Sequence, residues 1–363
     1  MNRAKHYQSK KIIQQAHKHR GFTLVEMMVA SAIGAILLAG IISVFLGNKK
    51  TAALNEAMIE MQQSARFALD VLARDIRMTG FQGCVDLETS TARALADSRP
   101  TDDLAETAIT GAVVSGNNID PPGPIGFTLP AGGLITPVQG SDVLSVQFGS
   151  QETHVVTPMT SASAPVVVQT TNPGIVNGDL ILISNCQVAD IFEVSQALNN
   201  SFRHDGSVNS GQNELSAIYG VVGEQNRPRA MRFESNVYFI ADTGRTNRAG
   251  DTVRSLFKQS LPFTSSPVEV IEGIELLELR FGLRSDSENG NITFVKPEDV
   301  GAQAANIVSV QIGLLLQSHD RVRDEDDSKS YLLAGNFITA ANHGADRRLR
   351  MAFNSTVKVR NRQ

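Results

Sequence analysis

The chain has 363 residues, of which 42% are hydrophobic and 19% are charged, with 29 glycines and no tryptophan. This content is sufficient to bury a core, as one large domain or as two. The formal charge is -4, and beyond residue 21 there are 27 basic against 37 acidic residues, a charge of -10. A nonspecific nucleic-acid binder is disfavoured on electrostatic grounds, with a local basic patch left open.

The N-terminus combines a basic leader with a long apolar run. The first 20 residues contain six basic side chains and no acidic one: Arg3, Lys5, Lys10, Lys11, Lys18 and Arg20. The run from Phe22 to Leu46 contains one charged residue, Glu26. As a helix it would cover about 37 Å, enough to cross a ~30 Å hydrocarbon layer with tilt. The pattern predicts a membrane anchor whose basic end stays in the cytoplasm.

The run differs from an ordinary secretory signal, which has a shorter apolar core and is cut on its far side after small residues. Here the small residue Gly21 directly follows the basic stretch. Ala30-Ser31-Ala32 matches a small-x-small cleavage pattern, but it lies inside the apolar run with no polar region after it. Secretory cleavage there is the less favoured alternative.

Residues 18–26, KHRGFTLVE, resemble the class III signal of type IV prepilins and secretion pseudopilins. In that family a prepilin peptidase cleaves after the glycine and methylates the new N-terminus. The resemblance implies leader cleavage between Gly21 and Phe22 and N-methylation of Phe22.

Glu26 needs a physical account, because an acidic side chain inside a membrane helix costs about 2.5–3.5 kcal/mol. In the pilin family the equivalent acid meets the N-terminal amine of a neighbouring subunit, which implies a subunit-assembly role for Glu26. The alternative is a glutamate that reaches the membrane interface on its own.

The helical pattern continues past the anchor. Apolar residues recur at spacings of three and four: Leu54, Met58, Met61, Ala65, Ala68, Leu72 and Ile76. This predicts one helix of about 85 Å over residues 22–78, ended by Gly80, whose first half projects from a globular part. On its polar side, Arg66, Asp70 and Arg74 have the spacing of helix-stabilising ion pairs.

The segments 61–84, 270–275 and 347–362 resemble the PilW family of minor pilins. The resemblance implies an α+β fold in which the long helix packs on a predominantly antiparallel sheet. We therefore expect a prepilin leader over residues 1–21, a transmembrane and assembly helix over 22–50, its amphipathic continuation over 51–80, and a periplasmic β-rich head over 81–363.

The chain has two cysteines, Cys84 and Cys186. Export would place both in an oxidising compartment, so we predict a disulfide from the helix end to a strand about a hundred residues on. Closing a loop of that size is worth up to about 4.7 kcal/mol in the chain-entropy model. Two free buried thiols or a metal site are the alternatives.

The chain after Cys84 changes in composition. Residues 86–108 are polar and 111–137 are rich in Gly, Pro and Asn, which predicts an excursion over the surface. Short β-branched runs then predict antiparallel strands at 143–148, 166–170, 180–184, 191–195, 215–222, 235–241 and 252–258. Longer runs at 268–283, 306–317 and 349–360 predict a sheet with one face on the helix.

Catalytic or metal-binding patterns are not evident, so we expect neither an enzyme nor a cofactor or metal. His204-Asp205 could orient a base, but the pair is more typical of a surface turn. The loop 286–291 alternates carboxylates as a calcium loop does, yet its glycine falls one place early and no distal glutamate follows, so a hairpin turn is favoured. The acidic run 324–327 is typical of a solvated segment.

The resemblance implies a minor pilin that primes or caps a type IV pilus, with adhesion, twitching motility and DNA uptake as properties of the fibre. Expected partners are other minor pilins, the major pilin, the prepilin peptidase, the assembly platform and the inner membrane, with no direct nucleic-acid binding. The alternatives are a type II secretion pseudopilin, or a membrane-anchored periplasmic binding protein or enzyme.

Overall fold

The structure is a computed structural model that describes residues 21–87, 90–130, 133–221, 227–285 and 290–362. The leader before Gly21 and most of the 286–291 loop therefore lie outside the described residues. The chain forms two compact units, one that ends at Ala53 and one that starts at Leu54.

Helix α1 extends over Leu24–Met78, 55 residues, as the apolar spacing predicts. It ends where Gly80 adopts a positive φ of 72°, which glycine reaches without the steric cost that a side chain would add. Two short helices follow, α2 at Leu104–Thr107 and α3 at Ala340–His343. The 3-10 turns lie at Pro297–Asp299 and Gly301–Asn306.

The strands follow in chain order. They are β1 Arg93–Ala94, β2 Ile109–Ser115, β3 Asn118–Asp120, β4 Thr136–Pro137, β5 Asp142–Val155, β6 Val166–Val167, β7 Leu180–Ser184, β8 Ala189–Glu193, β9 Gln196–Leu198 and β10 Ser201–Arg203. They continue with β11 Arg229–Thr246, β12 Thr252–Ser260, β13 Val268–Glu272, β14 Ile274–Arg284, β15 Ile292–Val295, β16 Ile307–Arg321, β17 Tyr331–Leu333, β18 Asn336–Ile338 and β19 Arg348–Lys358.

Two sheets dominate the unit that starts at Leu54. The larger is 10-stranded, with the path β1-β8-β7-β11-β5-β2-β3, while β12 and β4 also pair with β11 and β13 pairs with β12. The second has four antiparallel strands in the order β15-β14-β16-β19. Smaller sheets are formed by β6-β10-β9 and by the hairpin β17-β18.

The second half of α1 packs on both large sheets through one hydrophobic core. Ala65, Ala68, Leu72 and Ile76 are fully buried on its inner face, in the same cluster as buried strand residues such as Ile312. Small side chains on the helix allow close approach to the strands, and each large side chain buried contributes about 1.5–3 kcal/mol. The prediction of a sheet with one face on the helix is confirmed.

The predicted surface excursion after Cys84 is wrong. Segments between residues 85 and 129 cover the other face of the larger sheet, and Leu87, Leu104 and Phe127 are buried there. The sheet would otherwise expose Phe233 and Phe239 to water, so this face also needs a cover. The apolar residues of the cover are isolated among polar ones and have no regular period, which hid their burial from pattern reading.

Most predicted strands are confirmed to within a few residues, and the exceptions have local causes. The run 268–283 is broken into β13 and β14 by Gly273, whose φ is 87°. Within the described part of 215–222 there is no strand, because Leu215 and Tyr219 are buried from turn segments rather than from a ladder.

Candidate assembly site

Thr23 and Glu26 cap the start of α1 by reciprocal hydrogen bonds. Thr23 precedes the first helical residue, and its hydroxyl accepts from the Glu26 backbone N–H at 3.2 Å. The Glu26 carboxylate in turn accepts from the Thr23 backbone N–H and from its hydroxyl, both at 2.9 Å. This is a capping box, which satisfies backbone donors that a helix start otherwise leaves free. The sequence Thr-x-x-Glu carries its signature, although Thr23 is absent from our sequence-based predictions.

The side chains around Glu26 on α1 are apolar and are not buried. Phe22 is 83% exposed, and the large apolar residues from Leu24 to Leu46 are exposed as well. Among the described residues, α1 is the helix long and apolar enough to cross a membrane, and the apolar stretch that meets this criterion has no buried residue. An apolar surface of this length requires a lipid or protein environment.

The C-terminal end of α1 is fixed to the large sheet by a buried carboxylate, Asp75. Its Oδ2 atom accepts from the Tyr238 hydroxyl at 2.6 Å and from Asn236 Nδ2 at 2.9 Å, and Lys258 Nζ lies 3.7 Å away. Burial and the adjacent Asp75 raise the pKa of the Tyr238 phenol far above its ordinary value, so it remains a donor. Three groups from two strands therefore satisfy one buried charge at the helix end.

Two further contacts hold the C-terminal end of α1: a disulfide just after it and hydrogen bonds from Asn361. Cys84 and Cys186 form a disulfide across a sequence separation of 102 residues, which confirms the predicted bridge. Asn361, two residues before the end of the chain, donates through Nδ2 to the carbonyls of Met78 and Thr79 at 3.2 and 3.0 Å. These carbonyls belong to the helix end, where intrahelical partners are lacking.

A second buried charge network joins β14, β19 and the connection between β16 and β19. Arg350 is fully buried and binds Glu275 at 2.6 Å and Asp346 at 2.8 Å, and it lies 3.7 Å from Asp327. Burial by itself raises the pKa of Asp346, but hydrogen bonds from Arg350 and Arg348 outweigh it and hold this pKa at about 2. Asp327 also accepts from Tyr331 at 2.7 Å. The interpretation of the acidic run 324–327 as solvated is therefore wrong for Asp327, which is completely buried.

Other polar predictions have different outcomes. Arg66, Asp70 and Arg74 are exposed, and no ion pair joins them in the part of the chain that the structure describes.

His204 is buried rather than in an exposed turn: its Nε2 lies 2.9 Å from the carbonyl of Ala164 and its ring packs on Phe192. Across the described ranges, no group of three or more His, Cys, Asp or Glu side chains could hold a metal ion.

A long apolar N-terminal helix followed by an antiparallel β-rich unit defines a type IV pilin-like protein of the α+β class. Two family models match the chain in agreement with this architecture. Residues 16–42 match the prokaryotic N-terminal methylation motif, and residues 237–361, about a third of the chain, match the type IV pilus-assembly protein W. These matches, together with the long apolar helix, support a PilW-like, membrane-anchored pilin. No curated protein and no solved structure matches the chain.

The two matches cover the two ends of the structure described above. The methylation motif includes Thr23 and Glu26, and the PilW match begins next to Asn236 and ends at Asn361. It therefore includes Tyr238 and Lys258, which hold the end of α1, together with the complete four-stranded sheet.

Proposed function

We propose that this protein is a low-copy subunit that primes the assembly of a type IV pilus or caps its tip. The observation that carries the proposal is the wholly exposed apolar first part of α1, which begins inside the methylation motif of a chain with a PilW match. A surface of this kind can leave the membrane only if it is covered by similar helices of other subunits.

Processing would prepare this helix for assembly. The prepilin peptidase would remove the leader, residues 1–21, by cleavage after Gly21 and would methylate the amine of Phe22. Residues 22–50 would then span the inner membrane and residues 51–80 would continue the helix into a periplasmic head, residues 81–363. In favour of this division, the basic residues precede Gly21 and Phe22 is exposed at the start of the apolar run.

Glu26 would change partners on assembly. In the single chain its carboxylate accepts from Thr23 alone among the described residues, and this leaves acceptor sites for a positive donor. Cleavage creates an amine on Phe22, and the amine of a neighbouring subunit could approach the exposed Glu26. Pairing of the two charges would offset the roughly 2.5–3.5 kcal/mol cost of a carboxylate at membrane depth. The capping box would hold the glutamate in position until then.

The head argues for a minor role in the fibre. The unit that starts at Leu54 carries two large sheets and the segments between residues 85 and 129 that cover the larger one, and such bulk is difficult to repeat in a tight helical array. Adhesion, twitching motility and DNA uptake would be properties of the whole fibre. Other minor pilins, the major pilin and the assembly platform would be the partners before display on the cell surface, and we propose no enzymatic activity.

Processing can be tested by the mass of the protein recovered from cells. We expect the mass of a chain that starts at Phe22, and the full-length mass when the peptidase gene is deleted. Gly21→Ala should be processed in part, whereas Gly21→Leu should keep its leader because of its size. Recovery of native protein with the leader attached would refute the proposal.

Assembly can be tested separately with Glu26→Ala and a matched control, Thr23→Ser. Glu26→Ala should insert and be cleaved normally but be depleted from sheared pili, since no charge remains to meet the amine. Thr23→Ser keeps the hydroxyl of the capping box and should be incorporated normally. Normal recovery of Glu26→Ala in pili would contradict the pairing. Loss of secretion with intact pili after deletion of the gene would instead favour a type II secretion pseudopilin.

A further inference from the structure

A groove lies between the start of β5, the strand β14 and the hairpin β17-β18. It encloses about 700 Å³, part of it open to solvent. Its lining includes Asp142 from β5, Glu278 from β14, Lys296 and Glu298 from the segment after β15, and Phe337 from β18. Strands from both large sheets and from the hairpin therefore bring charged side chains and an aromatic ring to one groove.

Asp142 and Glu278 are buried acids, 4% and 8% exposed, that line this groove. The Asp142 Oδ2 atom accepts from the Leu279 N–H at 2.6 Å, and the Glu278 Oε2 atom accepts from Asn336 Nδ2 at 2.8 Å. In the described chain the second oxygen of each carboxyl group, Oδ1 and Oε1, has no donor, and neither atom is sealed from solvent. Each acid therefore has a free acceptor at the groove.

The cations near these acids are engaged elsewhere. Lys296 Nζ lies 3.6 Å from Glu298 Oε1. Arg280 is two positions after Glu278 on the same face of β14, and its Nη2 donates to the side-chain oxygen of Asn336 at 3.0 Å. Neither cation forms an ion pair with Asp142 or Glu278 in the described part of the chain.

Two neighbouring buried acids without a cation are unfavourable in their charged form. Burial, and next the neighbouring Glu278, raise the pKa of Asp142, and burial raises the pKa of Glu278. A cation in the groove would act against both shifts, because an opposite charge favours the ionised form of a carboxyl group. The free acceptors and the missing counter-charge thus indicate the same kind of ligand, a cation.

The geometry of the groove favours a guanidinium group over a metal ion. Calcium takes about six to eight oxygen ligands. Across the described ranges no cluster of acidic, His or Cys side chains could hold a metal, and the side-chain oxygen of Asn336 already accepts from Arg280. A guanidinium carries several N–H donors on one plane and can meet two carboxylates at once. Phe337 is 73% exposed at the groove and offers a ring face on which that plane can stack.

We propose that this groove binds an arginine side chain of another pilus subunit, with the guanidinium between Asp142 and Glu278 and stacked on Phe337. The free oxygens Oδ1 and Oε1 accept from its N–H groups. The identity of the partner rests on the proposed function, whereas the recognition of a guanidinium rests on the groove itself.

The groove can be tested with a peptide probe on the full chain in detergent. The chain has no tryptophan, so Phe337→Trp places a single indole fluorophore at the groove and keeps an aromatic ring there. Val268→Trp is the matched control, exposed on β13 and outside the lining. The probe is the capped pentapeptide Gly-Ser-Arg-Ser-Gly. The comparison peptide has citrulline, the uncharged isostere of arginine, in place of Arg.

We expect a saturable change in the emission of the indole at position 337 with the Arg peptide, and no response at position 268. The citrulline peptide should bind at least about tenfold more weakly, because it lacks the charge that strengthens the hydrogen bonds. Binding of the Arg peptide should tighten as the pH rises, since protons and the guanidinium compete for the two carboxyl groups.

Substitutions of the acids test the same contacts. Asp142→Asn and Glu278→Gln, each in the Phe337→Trp chain, should weaken binding of the Arg peptide about tenfold. Glu278→Gln keeps an oxygen that can accept from Asn336. Asp299→Asn removes an equal charge from an exposed position outside the lining and should change the affinity less than about twofold.

Three results would overturn the proposal. They are equal affinity for the Arg and citrulline peptides, unchanged affinity in Asp142→Asn, and release of the Arg peptide by calcium under conditions where sodium of the same ionic strength has no effect. The last result would assign the groove to a metal ion instead.

A photo-crosslinker in place of Phe337, with Val268 as the control position, tests the partner in cells. We expect a product specific to residue 337 whose attached peptide contains an arginine and comes from a pilin-type subunit. Absence of that product from correctly processed chain would overturn the inference and leave the pilin assignment intact. An unprocessed chain in the same sample, seen from its mass, would instead refute the proposed function and the identity of the partner with it.

Discussion

The attachment of α1 to the large sheet depends on a hydrogen bond between Tyr238 and the buried charge of Asp75. Tyr238→Phe removes only the hydroxyl, which donates to Asp75 at 2.6 Å, and leaves Asn236 and Lys258 as partners of the carboxylate. A hydrogen bond to a charged group contributes about 1.5–3 kcal/mol. We expect Tyr238→Phe to lower the free energy of unfolding by that amount, because water cannot replace the hydroxyl at a buried site.

A double-mutant cycle isolates this interaction. In Asp75→Asn the amide oxygen can still accept from Tyr238, but the charge is lost and the amide nitrogen adds a donor close to Asn236. The double variant should therefore be less destabilised than the sum of the single changes, by about 1–2 kcal/mol. The free energies are measured by denaturant unfolding of the full chain in detergent, and circular dichroism of the β-rich unit monitors the unfolding.

Tyr331→Phe is the matched control for the cycle. Its hydroxyl donates to Asp327 at 2.7 Å, in a different charge network, so its effect should add to that of Asp75→Asn. If Tyr238→Phe costs less than about 0.5 kcal/mol, or if Tyr238→Phe and Asp75→Asn are additive, the attachment does not depend on this hydrogen bond.

The remaining predictions concern the disulfide and a buried acid. Replacing Cys84 and Cys186 together by serine should cost about 2–5 kcal/mol, measured by denaturant unfolding, because the bridge closes a loop of 102 residues. Burial and the neighbouring Glu278 raise the pKa of Asp142, which bonds to the Leu279 N–H. A raised folded pKa gives stability that is lost as pH rises, so the melting temperature should fall as the pH rises from the ordinary aspartate pKa, about 4, towards the raised pKa of the folded protein. Asp142→Asn should flatten this dependence and raise the melting temperature at pH 8, and an unchanged slope would contradict the assignment.

The elements that the sequence predicted well are those whose signal is local. The spacing of Leu72 and Ile76 indicated the inner face of α1, and the alternation in β19 indicated a sheet on that helix. Gly80 ended the helix as expected. The methylation motif was recognised because its residues are contiguous. In each case the residues that decide the structure lie within a few positions of one another.

The elements that escaped prediction depend on contacts between distant parts of the chain. Asp75 appears in the sequence as one of several polar residues on a helix, and its burial depends on Tyr238, 163 residues later. His204 is buried because its ring packs on Phe192 and a distant carbonyl comes within hydrogen-bond distance, a contact that no local pattern encodes. The gap between β7 and β12 along β11 likewise depends on where two distant strands end.

One arrangement recurs at three points of the β-rich unit. Tyr219, Tyr238 and Tyr331, the tyrosines among the described residues, each donate a hydroxyl to an aspartate with little or no exposure: Asp190, Asp75 and Asp327, at 2.8, 2.6 and 2.7 Å. A tyrosine can span from an apolar core to a buried charge, since its ring is apolar and its hydroxyl is a donor.

These three pairs lie where irregular segments or the helix end join the sheets. Asp190 also binds the Ser216 N–H at 2.7 Å, from a turn segment, and Asp327 binds Arg323 at 3.0 Å, in the connection between β16 and β19. Each aspartate has several donors, so the loss of one leaves the charge partly satisfied, whereas loss of the aspartate leaves several donors unsatisfied. Aspartate substitutions should therefore be more destabilising than tyrosine substitutions at all three points. This asymmetry arises because buried carboxylates, rather than hydrophobic periodicity, position the end of α1 and the segments without regular structure.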